Sequence, residues 1–138
     1  MPAKDIYHHQ LKNALIKDGW TITDDPLILS IGKKDLFVDL GAEKIIAAEK
    51  NNRKIAAEIK SFVGRSQIND LENAVGQYMV YLQVLLETKS ERILYLAIRQ
   101  SSYQEVFEET IGKIFLKKKL INLIVFDEHK ESILQWID

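Results

Sequence analysis

Residues 92–98 read RILYLAI, and no other stretch constrains the fold as much. A strand with one wet face alternates apolar and polar side chains, whereas this run is apolar from Ile93 onward. It reads as a buried strand covered on both faces, which requires layers above and below it. The segment NLIVFDE, 122–128, reads as a further strand, and a short tail ends in ILQWID.

The remaining segments supply the layers. Residues 4–18 carry Ile6, Leu11, Leu15 and Ile16 at helical spacing, closed by Gly19. WTITDDPLIL follows as an extended segment interrupted at Pro26. LFVDLGAEKIIAAEK and RKIAAEIKSF then flank Asn51-Asn52, two residues that tolerate a tight turn, so they read as an antiparallel hairpin. From Ser66 to about Thr88 the period becomes helical, with Ser66 or Asn69 as cap. SYQEVFEETIGKIFLKKKL, 102–120, is acidic first and basic last, as suits one helix and its dipole. The expected order is α-β-β-β-α-β-α-β. That is a single α/β domain over 1–138, a mixed sheet flanked by helices.

Charge and composition exclude more than they assign. Net charge is −1, so any nucleic-acid contact must rest on a local patch. There is no Cys, which removes disulfides and thiolate metal sites. No signal-like core or membrane-length apolar run is present, so a cytoplasmic location and no membrane partner are expected.

Chemistry concentrates at RKIAAEIKSF. An acid followed two residues later by lysine occurs at Glu58/Lys60, Glu87/Lys89 and Glu128/Lys130. Only the first pair lies inside a strand, on one face between apolar neighbours, where burying charge is costly unless it is paired or binds an ion. With Asn51-Asn52 as a two-residue turn, Glu43 falls opposite Lys60 and residue 45 opposite Glu58, and Asp39 and Glu43 share the Glu58/Lys60 face. A bulge at Gly41 would flip Asp39. Three carboxylates beside one lysine suit a hard cation such as Mg2+ (or Mn2+) and an attacking water. The bland alternative is a Glu43–Lys60 ion pair on a wet face.

An Asp on one strand followed by Glu-x-Lys on the next resembles the PD-(D/E)XK nuclease superfamily, with its restriction-endonuclease-like core. Asp39 sits in VDLGAE, where Val38 replaces the usual Pro, and Glu58 and Lys60 sit in AEIK. Gln77 and Tyr81 in QYMVY match the Gln-x-x-x-Tyr pattern of its RecB-like branch. The resemblance implies metal ligation by Asp39, Glu58, the Ile59 carbonyl and Glu43, with Lys60, Gln77 and Tyr81 completing the catalytic set. Many members carry a Glu on the first helix; this chain offers Asp5 and the pair His8-His9 instead, and the resemblance implies that His8 or His9 could reach the metal.

KDGWTITDDP, DLGAEKIIAAEK, KIAAEIKSF and AVGQY are, more closely, similar to the XisH family, the excision-controlling factors of cyanobacterial DNA rearrangement. That implies excision of a genomic element alongside a site-specific recombinase and a companion protein, XisI. Three functions follow as alternatives: a Mg-dependent DNA phosphodiesterase, a non-cleaving DNA-binding accessory, or a protein-interaction subunit. Lys33, Lys34, Arg65 and Lys117–Lys119 are the candidate phosphate contacts. A homo-oligomer is compatible with each.

Overall fold

The computed structural model describes residues 4–46 and 51–138. Along the chain run α1 (His8–Lys17), β1 (Thr21–Asp24), β2 (Leu27–Ile31), β3 (Lys34–Val38), β4 (Leu40–Ile46) and β5 (Asn51–Ile59). They are followed by α2 (Gln67–Glu87), β6 (Ile93–Arg99), the short α3 (Gln100–Ser102), a π-helical turn (Tyr103–Phe107), α4 (Thr110–Lys117), β7 (Leu123–Asp127) and β8 (Ser132–Ile137).

Six strands form one mixed sheet in the order β1-β4-β5-β6-β7-β8. Parallel pairing joins β5 to β6 and β6 to β7, and the other neighbours are antiparallel. The RILYLAI run therefore lies on β6, near the centre, and its side chains divide between two cores. Leu94, Leu96 and Ile98 pack on the face covered by α2 and the segment from the π turn to α4. Tyr95 and Ala97 pack on the face covered by α1. On β5 the same alternation sends Ile55, Ala57 and Ile59 toward α1 and Ala56 toward α2, which places Glu58 on the α2 side.

Several expectations change. WTITDDPLIL is two strands, β1 and β2, separated at Pro26, which has no N–H to donate to a ladder. LFVDLGAEKII is also two, broken at Asp39. β2 and β3 leave the main sheet and pair as a separate hairpin, turning at Gly32, whose φ is 56°. Residues 47–50 lie outside the described residues, but Asn51 and Asn52 belong to β5 rather than to a turn. Glu43 therefore faces Lys54, six residues earlier than Lys60. An even shift preserves parity, so Asp39 and Glu58 still share a face.

The expected helix over 102–120 is interrupted. Val106 and Phe107 turn inward, and α4 restarts after Glu109 so close to them that a Cβ on Gly112 would lie 2.1 Å from the Val106 carbonyl oxygen. Its dipole pattern survives on the shorter helix, with Glu109 at the N-cap and Lys117 in the last turn. The tail is the edge strand β8, where Trp136 packs 5.4 Å from Trp20 and 5.1 Å from Tyr95.

Candidate metal and phosphate site

The site forms where two backbone breaks coincide. The chain bends at Asp39 between β3 and β4, and at Lys60 it leaves the sheet on its way to α2. There the two acids are tied crosswise. The Asp39 N–H donates to Glu58 Oε1 at 3.2 Å, and the Ile59 N–H donates to Asp39 Oδ2 at 2.8 Å. Each carboxylate spends one oxygen on the other's strand, leaving Asp39 Oδ1 and Glu58 Oε2 outside the clamp. Lys60 Nζ lies 3.8 Å from Glu58 Oε2.

These groups line a cleft of about 240 Å3 together with Lys4, Asp5, Phe37, Ile59, Gln77 and Tyr81. An adjoining cleft of similar size shares Asp5 and Lys60 and continues along Ser61–Gly64 to Asp70 and Asn73. Glu58 is only 7% exposed. Its pKa is pushed up to about 8, first by burial and then by the charge and hydrogen bonding of Asp39, which the Lys60 ammonium only partly offsets. Burial and the adjacent Asp39 together disfavour the ionised form of Glu58.

Tyr81 is also pushed up, to about 12, by burial and then by Glu58 and Asp39. It is a neutral phenol, and its hydroxyl donates to the Phe37 carbonyl at 3.3 Å, holding β3 against α2 beside Asp39. Gln77, one turn earlier, is exposed at the mouth.

A family model described as XisH protein matches residues 1–134. This chain belongs to the XisH family. Two solved structures agree. An XisH family protein from Nostoc punctiforme is 36% identical, covering 97% of this chain and 100% of its own, with a TM-score of 0.85. An fdxN element excision controlling factor protein from Anabaena variabilis is 36% identical, covering 98% and 100%, with a TM-score of 0.86. No curated protein matches.

Within this XisH chain, the cleft brings together Asp39, Glu58, Ile59, Lys60, Gln77 and Tyr81. It does not bring in Glu43, which stands opposite Lys54 and accepts from the Asn52 side chain, about 13 Å along the strand from Glu58. The three-carboxylate cluster and the Glu43–Lys60 pair are thus corrected to two carboxylates, with Lys60 beside Glu58. Among the described residues no group of three or more His, Asp or Glu is arranged as a metal cage. Neither histidine lines the cleft. His8 is buried with its Nε2 2.7 Å from Asp25, and the His9 ring contacts Asn13 at 3.1 Å.

Two further contributors were hidden. Asp5, offered by the sequence in place of a first-helix Glu but given no role there, lines both clefts. Arg99, at the end of β6, donates to the Ser61 carbonyl at 2.7 Å and to Glu128 at 3.4 Å, and lies 4.6 Å over the Tyr7 ring. It pins the chain immediately after Lys60. Its partners are scattered over the whole sequence, so no local pattern marks it. The candidate phosphate contacts are all exposed but dispersed: Lys33 and Lys34 on the β2–β3 hairpin, Arg65 before α2, and Lys117–Lys119 at the end of α4.

Proposed function

We propose that this chain is a divalent-metal-dependent DNA phosphodiesterase acting in the excision of a genomic element, on a restriction-endonuclease-like PD-(D/E)XK core. The observation that carries this reading is the crosswise clamp, which fixes two carboxylates side by side and sets Lys60 next to them. The donor set fits the cation. Mg2+ takes one or two carboxylates and keeps several waters, which two acids and the Ile59 carbonyl can provide. The charge balance also asks for one. With Glu58 protonated, Lys4 and Lys60 balance Asp5 and Asp39; once Glu58 ionises the cleft is net negative and repels phosphate, and a cation restores the balance. A bound Mg2+ or Mn2+ would neutralise charge on the phosphate and lower the pKa of a water.

The residues then divide the work. Asp39, Glu58 and the Ile59 carbonyl hold the cation. Lys60 orients the attacking water and steadies the charge that develops in the transition state. Gln77 contacts the substrate at the mouth, and Tyr81 positions the strand that carries Asp39. Support for the role in excision comes from the fdxN description of the Anabaena variabilis relative. A site-specific recombinase and an XisI-like companion belong to the same proposal.

The test is cleavage of supercoiled, linear and branched DNA in Mg2+ and Mn2+, with Asp39→Ala and Lys60→Ala alongside. The reading expects cutting that both substitutions abolish. Salt-sensitive DNA binding without cutting, unchanged in both folded variants, would favour a non-cleaving accessory on the same scaffold.

A further inference from the structure

Helix α2 buries one face against the sheet through Leu71, Ala74, Tyr78, Tyr81 and Leu85. A second apolar line runs along its flank. Ile68, Met79 and Leu86 are 49%, 40% and 62% exposed, and Val75 and Leu82 are partly buried between them. With Glu72, the positions 68, 72, 75, 79, 82 and 86 follow the alternating four- and three-residue spacing of a coiled-coil seam. On the same face of the sheet α4 exposes Ile111 and Ile114, at 43% and 44%. Such a line of exposed apolar side chains marks a surface that something covers.

The spacing indicates what covers it. The series reads the same from either end, and its centre at position 77 coincides with the centre of the helix Gln67–Glu87. Two copies running antiparallel about that centre set apolar side chains level with apolar ones at four of the six positions. Ile68 lies level with Leu86 of the second copy, and Val75 level with Met79. Glu72 lies level with Leu82 and Glu87 with Gln67, so no two acids meet. A parallel pairing would stack Glu72 on Glu72 and Glu87 on Glu87. Glu72 and Glu87 on α2 are exposed, and Glu105 accepts from the Gln67 side chain, so acids rather than bases border the helix itself, which disfavours a phosphate backbone along it.

We propose that the flank of α2 is a homodimer interface in which two copies of α2 pack antiparallel about a two-fold axis level with residue 77. Such an interface is isologous and closes at two copies. Gln77 itself projects from the other flank into the cleft, so both clefts stay open in the dimer. The proposal stands independently of any nuclease activity.

Sedimentation of the full chain from micromolar to sub-millimolar concentration should show a monomer–dimer equilibrium. Met79→Glu and, separately, Leu86→Lys should weaken dimerisation at least about tenfold while circular dichroism stays native. The absence of native Cys allows a direct geometric test. A mixture of Ile68→Cys and Leu86→Cys chains should form a mixed disulfide in preference to either homodisulfide. A chain monomeric throughout that range would overturn the proposal. So would a dimer that both charge substitutions leave intact, or preferential Ile68→Cys homodisulfides.

Discussion

Two clusters of charge flank the beginning of this chain's sheet, and they are built in opposite ways. At Asp25, one carboxylate faces His8 Nε2 at 2.7 Å, Lys12 at 2.9 Å and Lys4 at 3.9 Å. Burial works to raise the Asp25 pKa, but the hydrogen bonds from Lys12 and His8 outweigh it and hold the group below its ordinary value. In the cleft, three carboxylates (Asp5, Asp39 and Glu58) stand with two lysines. The clamped pair has Lys60 at 3.8 Å from Glu58, and Glu58 rises to about 8. The first cluster is satisfied by its own chain and closes α1 onto the junction before β2. In the second, burial and the neighbouring Asp39 outweigh the Lys60 ammonium. A buried carboxylate held below its ordinary pKa by its partners acts as structure, and one held above it in a cleft is what marks the proposed cation site.

The largest expected effect is on activity. Lys60→Ala should lower DNA cleavage at least about a hundredfold, measured by single-turnover assay, with cation binding retained. Loss of cation binding as well would make Lys60 a structural partner of Glu58 and erase the contrast. Next is stability at the satisfied cluster. Asp25→Ala leaves His8 and Lys12 without their acceptor and should cost about 2 kcal/mol at neutral pH, read by urea unfolding. Because the folded pKa of Asp25 is depressed, its contribution is present above the unfolded value of 3.8 and fades as pH falls through the folded value.

Glu58→Gln should act in the other direction. The folded pKa of Glu58 is raised from 4.5 to about 8, so the native state binds more protons than the unfolded chain between those values. Metal-free wild type should therefore lose stability as pH rises through that window. Glu58→Gln should flatten the decline and exceed wild type by more than about 1 kcal/mol at pH 9. A substitution that destabilises at every pH would show Glu58 to be as well satisfied as Asp25. The smallest effect lies outside both clusters. Lys119, just past α4, sits at φ 54°, so Lys119→Gly should stabilise by about 0.5–1 kcal/mol, read by urea unfolding.

The sequence exposed the central layers because RILYLAI carries its own evidence of burial. It exposed most of the cleft because side-chain parity survives a register error by an even number of residues. Glu43 shows what parity cannot supply, since a residue on the correct face can still lie four positions too far along the strand. The break at Pro26 is legible from the proline, but the separate β2–β3 hairpin also depends on a break at Asp39 that an apolar pattern does not mark. Asp5 and Arg99 reach the cleft region through tertiary packing of the N-terminal segment and of β6, which no spacing within the sequence records.

The most direct measurement is calorimetric titration of Mn2+ into the metal-free protein at pH 7, in two buffers of different ionisation enthalpy, for wild type, Asp39→Ala and Glu58→Gln. Glu58 is mostly protonated at that pH, so wild type should bind the cation and release close to one proton. Asp39→Ala should bind far more weakly, and Glu58→Gln should bind weakly without releasing a proton. Equal Mn2+ affinity in all three proteins, or no binding to the wild type, would contradict the assignment of Asp39 and Glu58 as a cation site.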